Sequence, residues 1–94
     1  MAEWEYAQRR PDDRLAKIET YSVVTAQNGR EIEFQITVRE YVTPRDPVMK
    51  FFAQSNRQTN QKTMSFTPTG WGTTLLKALS DCITAIHKFP YEGD

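Results

Sequence analysis

The chain has 94 residues, of which 38% are hydrophobic, and its 12 lysines and arginines balance 12 aspartates and glutamates. This length suits one small domain with a single core, and a single cysteine excludes a disulfide framework. No apolar run is long enough for a membrane helix and no signal-like start is visible, so we expect an intracellular protein that does not enter the membrane. Between residues 34 and 80, six basic residues stand against two acidic ones, so the middle of the chain is locally cationic.

The first predicted elements are an arm and a β-hairpin. Residues 1–14 are polar with mixed charges, and we expect them to form a flexible N-terminal arm before a single domain over residues 15–94. Residues 17–26 are rich in β-branched and aromatic side chains, which favours a strand. Asn28-Gly29 then supplies a strong signal for a tight hairpin turn.

The second predicted strand covers residues 31–42. Its apolar positions, Ile32, Phe34, Ile36 and Val38, alternate with polar residues. This period of two predicts a strand with one buried face and one exposed face.

A turn and a short third strand are predicted next. Pro44 and Pro47 bracket the turn, because proline lacks a backbone donor and biases the preceding residue away from the helix conformation. The third strand is predicted to cover residues 48–53. The polar segment 54–61 has no apolar periodicity, and we expect a mobile loop there.

The fourth strand and the start of a helix are predicted from residues 62–71. Met64 and Phe66 alternate with polar residues, which is typical of a half-buried strand. Thr67 is predicted as the helix N-cap, with Pro68 at the first helical position. The spacing of Phe66 and Trp71 is that of a hydrophobic staple, which favours a place in the core for Trp71.

The predicted helix carries an apolar stripe that would pack on the sheet. The stripe consists of Leu75, Leu76, Leu79, Cys82, Ile83 and Ile86. The fold class is therefore α+β, a four-stranded antiparallel sheet followed by one long C-terminal helix (ββββα). One helix covers one face, so the other face is expected to stay open for a ligand or a second copy of the chain.

We expect structural rather than functional roles for four residues in or near the helix. Gly70 and Gly72 would let the backbone approach another element closely. Cys82 lies on the apolar stripe, where a thiol behaves as a small hydrophobe. His87 stands in the last helical turn, where a capping role is favoured over catalysis.

Three short motifs follow one another along the chain: REY at residues 39–41, MK at residues 49–50, and K-x-x-S-x-x-P-x-x-W at residues 62–71. Together they resemble the positive cofactor four family of single-stranded DNA-binding transcriptional coactivators. The resemblance spans about residues 21–86. It implies a homodimer whose paired sheets hold single strands through charge on the backbone and stacking of the bases.

The resemblance also bears on individual positions. It implies basic residues for phosphate contact at Arg30 and Lys62. The chain departs from the family at Val42, where the family has a tryptophan, and at Gln27, which corresponds most nearly to an aromatic residue of the family.

The residues of the second and third strands also indicate a nucleic-acid-binding surface, without reference to the family. Single strands are bound by cations that contact phosphates and by exposed rings on which bases stack. Arg39 and Tyr41 lie two positions apart on one strand face, so they combine both contacts, although an ordinary cation–π pair is an equal alternative. Phe51 and Phe52 point to opposite faces, so one is expected in the core and the other exposed, as a stacking platform or a dimer contact. The predicted nucleic-acid-binding residues are Arg30, Arg39, Tyr41, Lys50, Phe51, Phe52 and Lys62.

Two functions are compatible with these patterns. The first is a homodimeric protein that binds single-stranded DNA, or RNA, with little sequence preference, in transcription, replication or repair. The second is a protein-interaction or assembly domain of the same fold in which the missing aromatic residues mean that nucleic-acid binding is absent. We expect no enzymatic activity, metal or cofactor, because the sequence shows no nucleophile with a base, no ligand cluster and no cofactor fingerprint.

Overall fold

The fold is seen in a computed structural model, which describes residues 3–27, 29–44 and 46–92. The strands are β1 (Ala16–Gln27), β2 (Arg30–Tyr41), β3 (Phe51–Ser55) and β4 (Thr69–Gly72), and the helix α1 spans Leu75–Ile86. The four strands form one antiparallel sheet in the order β1-β2-β3-β4. The predicted α+β fold with a ββββα order is therefore confirmed.

β1 and β2 form a long hairpin. They pair without interruption from Ala16 opposite Tyr41 to Gln27 opposite Arg30. Gly29 has a φ of 74°, which the turn requires and which glycine adopts at little cost. Asn28, the other predicted turn residue, lies outside the described residues. β3 pairs only with the Ile36–Glu40 part of β2, so the distal half of the hairpin extends beyond the four-stranded region.

The core lies between the sheet and α1. The alternating apolar residues of β2 face the helix and are buried, as the period of two predicts. Helix residues Ala78, Cys82 and Ile86 are fully buried against them, and Tyr91 packs its ring edge on Phe34 with the ring centroids 5.9 Å apart. The C-terminal residues therefore cover the part of the hairpin that α1 does not reach.

One residue of the predicted stripe is not in the core. Leu76 is 75% exposed. Successive helical residues are rotated by about 100°, so Leu76 lies roughly 140° from the centre of a stripe defined by Ala78 and Cys82, on the solvent-facing side of the helix.

The last strand and the helix start were predicted too early in the chain. β4 comprises residues 69–72, not the stretch around Met64 and Phe66, and Met64 is exposed. The N-cap of α1 is Thr74, whose side-chain oxygen accepts a hydrogen bond from the Lys77 backbone N–H at 3.1 Å. Thr67, the predicted cap, instead accepts a hydrogen bond from the Gln58 side chain at 3.2 Å.

The predicted staple is also wrong, because Trp71 lies on β4 and points away from the helix. Its neighbours Gly70 and Gly72 face α1, and a Cβ on Gly70 would overlap the Ala78 carbonyl oxygen and come within 2.7 Å of the Cys82 nitrogen. The close approach predicted for the two glycines is thus confirmed. Because side chains alternate along a strand, Trp71, which lies between the two helix-facing glycines, is on the opposite face, where it is 41% exposed.

The segment between β3 and β4, predicted as a mobile loop, is anchored at several points. Thr59 is fully buried and exchanges two backbone hydrogen bonds with Phe66, at 2.8 and 2.9 Å. The Asn60 backbone N–H donates to the Pro90 carbonyl at 2.8 Å. These contacts join the segment to the C-terminal residues.

The N-terminal arm contacts the end of β2. Glu3–Ala7 forms a short 3-10 helix. The Gln8 side chain donates to the Thr43 hydroxyl at 3.2 Å, and the Val42 backbone N–H donates to the Leu15 carbonyl at 3.0 Å. Among the described residues, no helix has the length and apolar character needed to cross a membrane.

Candidate nucleic-acid interface

The sheet face opposite α1 carries a row of residues that crosses all four strands. Strand register places Ile18 opposite Arg39, Arg39 opposite Phe52, and Phe52 opposite Trp71. Residues directly opposite in an antiparallel pair point to the same face of the sheet. We call Ile18, Arg39, Phe52 and Trp71 the Arg39 row, and the uncovered face that bears it the open face.

The Arg39 row combines rings with a positive charge. The Phe52 and Trp71 rings are in contact, with centroids 4.3 Å apart and planes inclined by 33°. Arg39 lies beside Phe52 and forms no ion pair with any residue in the described part of the chain. Ile18, at the other end of the row, is 57% exposed. The row therefore offers a partly exposed aromatic surface next to a guanidinium that has no ion-pair partner among the described residues.

Tyr41 extends this surface towards the end of β2. It is two residues beyond Arg39 and so lies on the same face. Tyr41 and Trp71 line a pocket of about 230 Å³ whose other walls are Arg14, Thr43, Pro44 and Met49. We call it the end pocket.

The charge of the open face changes along the hairpin. The next row consists of Thr20, Thr37, Gln54 and Thr69, which are polar and uncharged. Farther along β2, Glu33 and Glu31 occupy the same face, and the Ser22 hydroxyl donates to the Glu33 carboxylate at 2.6 Å. The positive charge of this face thus lies at the Arg39 end and the negative charge at the hairpin end.

Two of the sequence-predicted residues lie away from the open face. Phe51 points to the helix side and packs against the core, while Phe52 points to the open face. The pair thus divides between the two faces as predicted, but Phe52 is half-buried rather than exposed. Lys50 is 3.8 Å from the Glu40 carboxylate, and its ammonium lies 6.0 Å from the Phe51 ring centroid. Neither Phe51 nor Lys50 belongs to the surface formed by Arg39, Tyr41 and Phe52.

Arg30 and Lys62 are exposed but distant from that surface. Arg30 begins β2 at the hairpin end, nine residues from Arg39, which at about 3.4 Å per residue is roughly 30 Å away. Lys62 lies between β3 and β4, and its backbone N–H donates to the Glu92 carboxylate at 2.7 Å. The residues that the resemblance implied as basic contacts are therefore not part of the Arg39 end.

The Arg57 side chain is held by hydrogen bonds to other parts of the domain. Its Nε donates to the Glu33 carbonyl at 2.9 Å, and its Nη1 donates to the Tyr91 hydroxyl at 3.1 Å. These bonds tie the segment after β3 to β2 and to the C-terminal residues, and they occupy donors that would otherwise be available to a phosphate.

Two residues of the surface were missed from the sequence. Trp71 was assigned to the core, although in Thr69-Gly70-Trp71-Gly72 side chains alternate with glycines, and this alternation is a signal for a strand with one bare face. Arg14 was assigned to the arm. No local pattern would have placed it in the same pocket as Tyr41, because that placement depends on how the arm crosses the end of β2.

The perturbed titratable groups lie outside the open face. On the helix side of β1, the Tyr21 hydroxyl donates to the Glu19 carboxylate at 2.5 Å, which lowers the pKa of Glu19 and raises the pKa of Tyr21. In the core, burial raises the pKa of Cys82 to about 11. The residues that the structure describes contain no group of three His, Cys, Asp or Glu side chains that could hold a metal ion.

Comparison with known proteins gives no assignment. No family model matches the chain, and neither a curated protein nor a solved structure is found to be similar to it. The resemblance to the positive cofactor four family therefore stays a prediction from short motifs.

Proposed function

We propose that the chain binds single-stranded nucleic acid, largely independently of sequence, on the Arg39 end of its open face. The observation that carries the proposal is the Arg39 row, in which a guanidinium without an ion pair among the described residues adjoins the Phe52 and Trp71 rings, which contact each other. Tyr41 adds a third ring on the same face. Exposed rings next to a cation are the combination that single-strand binders use, because every base has a face that can stack.

The distribution of rings, arginines and glutamates on the open face predicts how a single strand would lie on it. Each stacked base contributes about 1–3 kcal/mol, so two or three rings supply most of the affinity. Arg39 lies opposite Phe52 in the row, and Arg14 lines the end pocket with Tyr41 and Trp71. Two phosphate contacts on a single strand predict a log–log salt slope near −1.4. The uncharged threonine and glutamine row beside them suits contacts with sugars and base edges. Glu31 and Glu33 would repel a strand that extends towards the hairpin. The proposal includes no catalytic step.

The test is fluorescence anisotropy of a labelled single-stranded oligonucleotide at several salt concentrations, with duplex DNA and single-stranded RNA as comparisons. Arg39→Ala should weaken binding and flatten the salt slope, whereas Phe52→Ala should weaken binding and leave the slope unchanged. Arg30→Ala is the matched control, since it removes an exposed arginine about 30 Å from the site. Equal effects of Arg39→Ala and Arg30→Ala, or no binding at low salt, would contradict the proposal.

A protein partner on the open face is the second candidate. Ile18 and Val24 are both 57% exposed on this face, and the proposed contacts of Arg39, Phe52 and Trp71 with nucleic acid do not involve them. Exposed apolar residues on an uncovered sheet face are typical of protein interaction sites. Ile18→Asp would abolish such an interaction, but oligonucleotide binding through Arg39 and Phe52 would change much less.

We further propose a homodimer in an intracellular compartment. β1 is an edge strand of 12 residues, and its outer edge has no strand partner in the part of the chain described here. A long unpaired edge favours addition of another strand, and pairing with a second copy there would leave the open face accessible. Light scattering over a range of protein concentrations tests this, and a constant monomer mass would contradict it.

A further inference from the structure

The end pocket is assembled from separate parts of the chain. Its walls come from the N-terminal arm, the end of β2, the turn that follows, and β4: Arg14, Tyr41, Thr43, Pro44, Met49 and Trp71. Trp71 also contacts Phe52, so the pocket continues directly from the aromatic surface of the Arg39 row.

Hydrogen bonds hold the arm where it forms one wall. Leu15, next to Arg14, accepts a backbone hydrogen bond from Val42 at 3.0 Å. Gln8 bonds both to the Thr43 hydroxyl and to the Leu15 backbone N–H, at 3.2 Å each. Arg14 is thus placed beside Tyr41 and Thr43 by contacts on both sides of the arm.

The lining defines the chemistry of a ligand. Tyr41 and Trp71 provide rings, and the Met49 thioether makes favourable contacts with aromatic groups. Among the described residues, Arg14 forms no ion pair and no acidic side chain lines the pocket. A planar ring that carries an anionic group fits this combination, because the guanidinium and the rings would each find a partner.

The size of the end pocket restricts the ligand further. Its volume of about 230 Å³ is below the roughly 300–1,000 Å³ of pockets that hold drug-sized molecules. It therefore suits one base with its phosphate at the rim, rather than two stacked bases.

We propose that the end pocket is a nucleotide site, in which a base lies against Tyr41 and Trp71 and its phosphate contacts Arg14. This inference rests on the proposed function, because it places one nucleotide of the bound single strand at the end of the open face. A free nucleoside monophosphate has the same chemistry, and the two sources are separated by the experiments below.

The first experiment measures quenching of Trp71 fluorescence in a Trp4→Phe variant, which leaves Trp71 as the single tryptophan of the chain. Deoxyadenosine monophosphate should bind about tenfold more tightly than deoxyadenosine, since only the former offers a phosphate to Arg14. Adding Arg14→Ala should remove this difference. Arg9→Ala is the control, because Arg9 is an exposed arginine of the same arm that does not line the pocket. Equal affinities for the nucleotide and the nucleoside, or equal losses in the two arginine variants, would overturn the proposal.

The second experiment uses anisotropy of a labelled oligonucleotide with Arg14→Ala and with Met49→Trp, which fills the pocket without altering Arg39 or Phe52. Both variants should weaken binding about fivefold or more, the loss expected for one stacked base or one phosphate contact. Unchanged oligonucleotide binding by both variants would overturn the nucleotide site and the phosphate contact of Arg14, and would leave single-strand binding through Arg39, Phe52 and Trp71 intact. If the unmodified protein binds no oligonucleotide, the proposed function fails, and binding of the monophosphate would then identify the free nucleotide as the ligand.

Discussion

Phe52 and Trp71 lie directly opposite each other on β3 and β4, with ring centroids 4.3 Å apart. Both rings are on the face that α1 leaves uncovered. The pair therefore serves two purposes: it links a short edge strand to its neighbour, and it supplies two of the three rings of the proposed binding site.

The first prediction concerns the stability that this pair contributes. A double-mutant cycle with Phe52→Ala and Trp71→Ala should give a coupling free energy of about 0.5–1.5 kcal/mol in urea unfolding, as expected for an aromatic pair. The control cycle combines Thr20→Ala with Trp71→Ala, two positions on strands that do not adjoin, and should be additive within about 0.5 kcal/mol. Additive effects of the Phe52 and Trp71 substitutions would show that the rings do not interact in solution.

The second prediction distinguishes the two candidate helix caps. Thr74→Ala removes the oxygen that accepts the Lys77 backbone N–H and should lower the free energy of unfolding by about 1 kcal/mol. Thr67→Ala loses only a bond to the exposed Gln58 side chain and should cost less. Urea unfolding followed by circular dichroism provides the comparison. A larger loss for Thr67→Ala than for Thr74→Ala would favour the earlier helix start that the sequence predicts.

The third prediction concerns the contact between β4 and α1. Gly70→Ala would place a Cβ against the Ala78 carbonyl and within 2.7 Å of the Cys82 nitrogen, both of them backbone atoms of α1. The helix would have to move, and we expect a loss of roughly 1–3 kcal/mol, the range for overpacking. Thr69→Ala, next in sequence but on the open face, should be nearly neutral. Equal stability of Gly70→Ala and the unmodified protein would be incompatible with this packing.

The fourth prediction concerns the alkaline pH dependence of stability. Burial raises the pKa of Cys82 to about 11 from an ordinary value of 9.0. The unfolded chain therefore loses this proton at lower pH than the folded chain does, so the stabilising effect is complete below pH 9 and is lost as the pH rises towards 11.

The measurement for Cys82 is the free energy of unfolding across this pH range, compared with that of Cys82→Ala. The two curves should converge as the pH rises, because the variant lacks the thiol whose ionisation opposes folding. Parallel curves would show that the thiol ionises equally in both states.

The elements with a strong local pattern were predictable from the sequence. The alternation in β2 placed Ile32, Phe34, Ile36 and Val38 on one face, and the structure buries all four. The hairpin and the helix were also predicted, since a turn signal and an apolar stripe are properties of a few adjacent residues.

β4 could not be located in this way, because two signals conflicted. Thr67-Pro68 is a plausible helix start by local chemistry, and Met64 and Phe66 alternate as in a strand. The actual strand has glycines at its helix-facing positions, so it lacks the apolar alternation that reveals other strands. Long-range packing against α1, not local propensity, decides that Gly70 and Gly72 are the residues that can lie there.

The candidate site was partly predictable for a similar reason. Arg39 and Tyr41 follow from the period of two along β2. The same period predicts that Phe51 and Phe52 lie on opposite faces without saying which one is open, and the structure places Phe52 beside Arg39. Arg30 and Lys62 were inferred from a resemblance to a family, and the structure places them elsewhere. Arg14 joins the surface only through the path of the arm, which no periodicity encodes.

The bare inner side of β4 has a practical result for protein engineering. Because Gly70 and Gly72 present no side chain to the helix, positions 69 and 71 can be changed without creating a void or a clash beneath them. Recognition properties can thus be tuned at position 69 without disturbing the contact between β4 and α1, whereas a change at position 71 also alters the contact between Trp71 and Phe52.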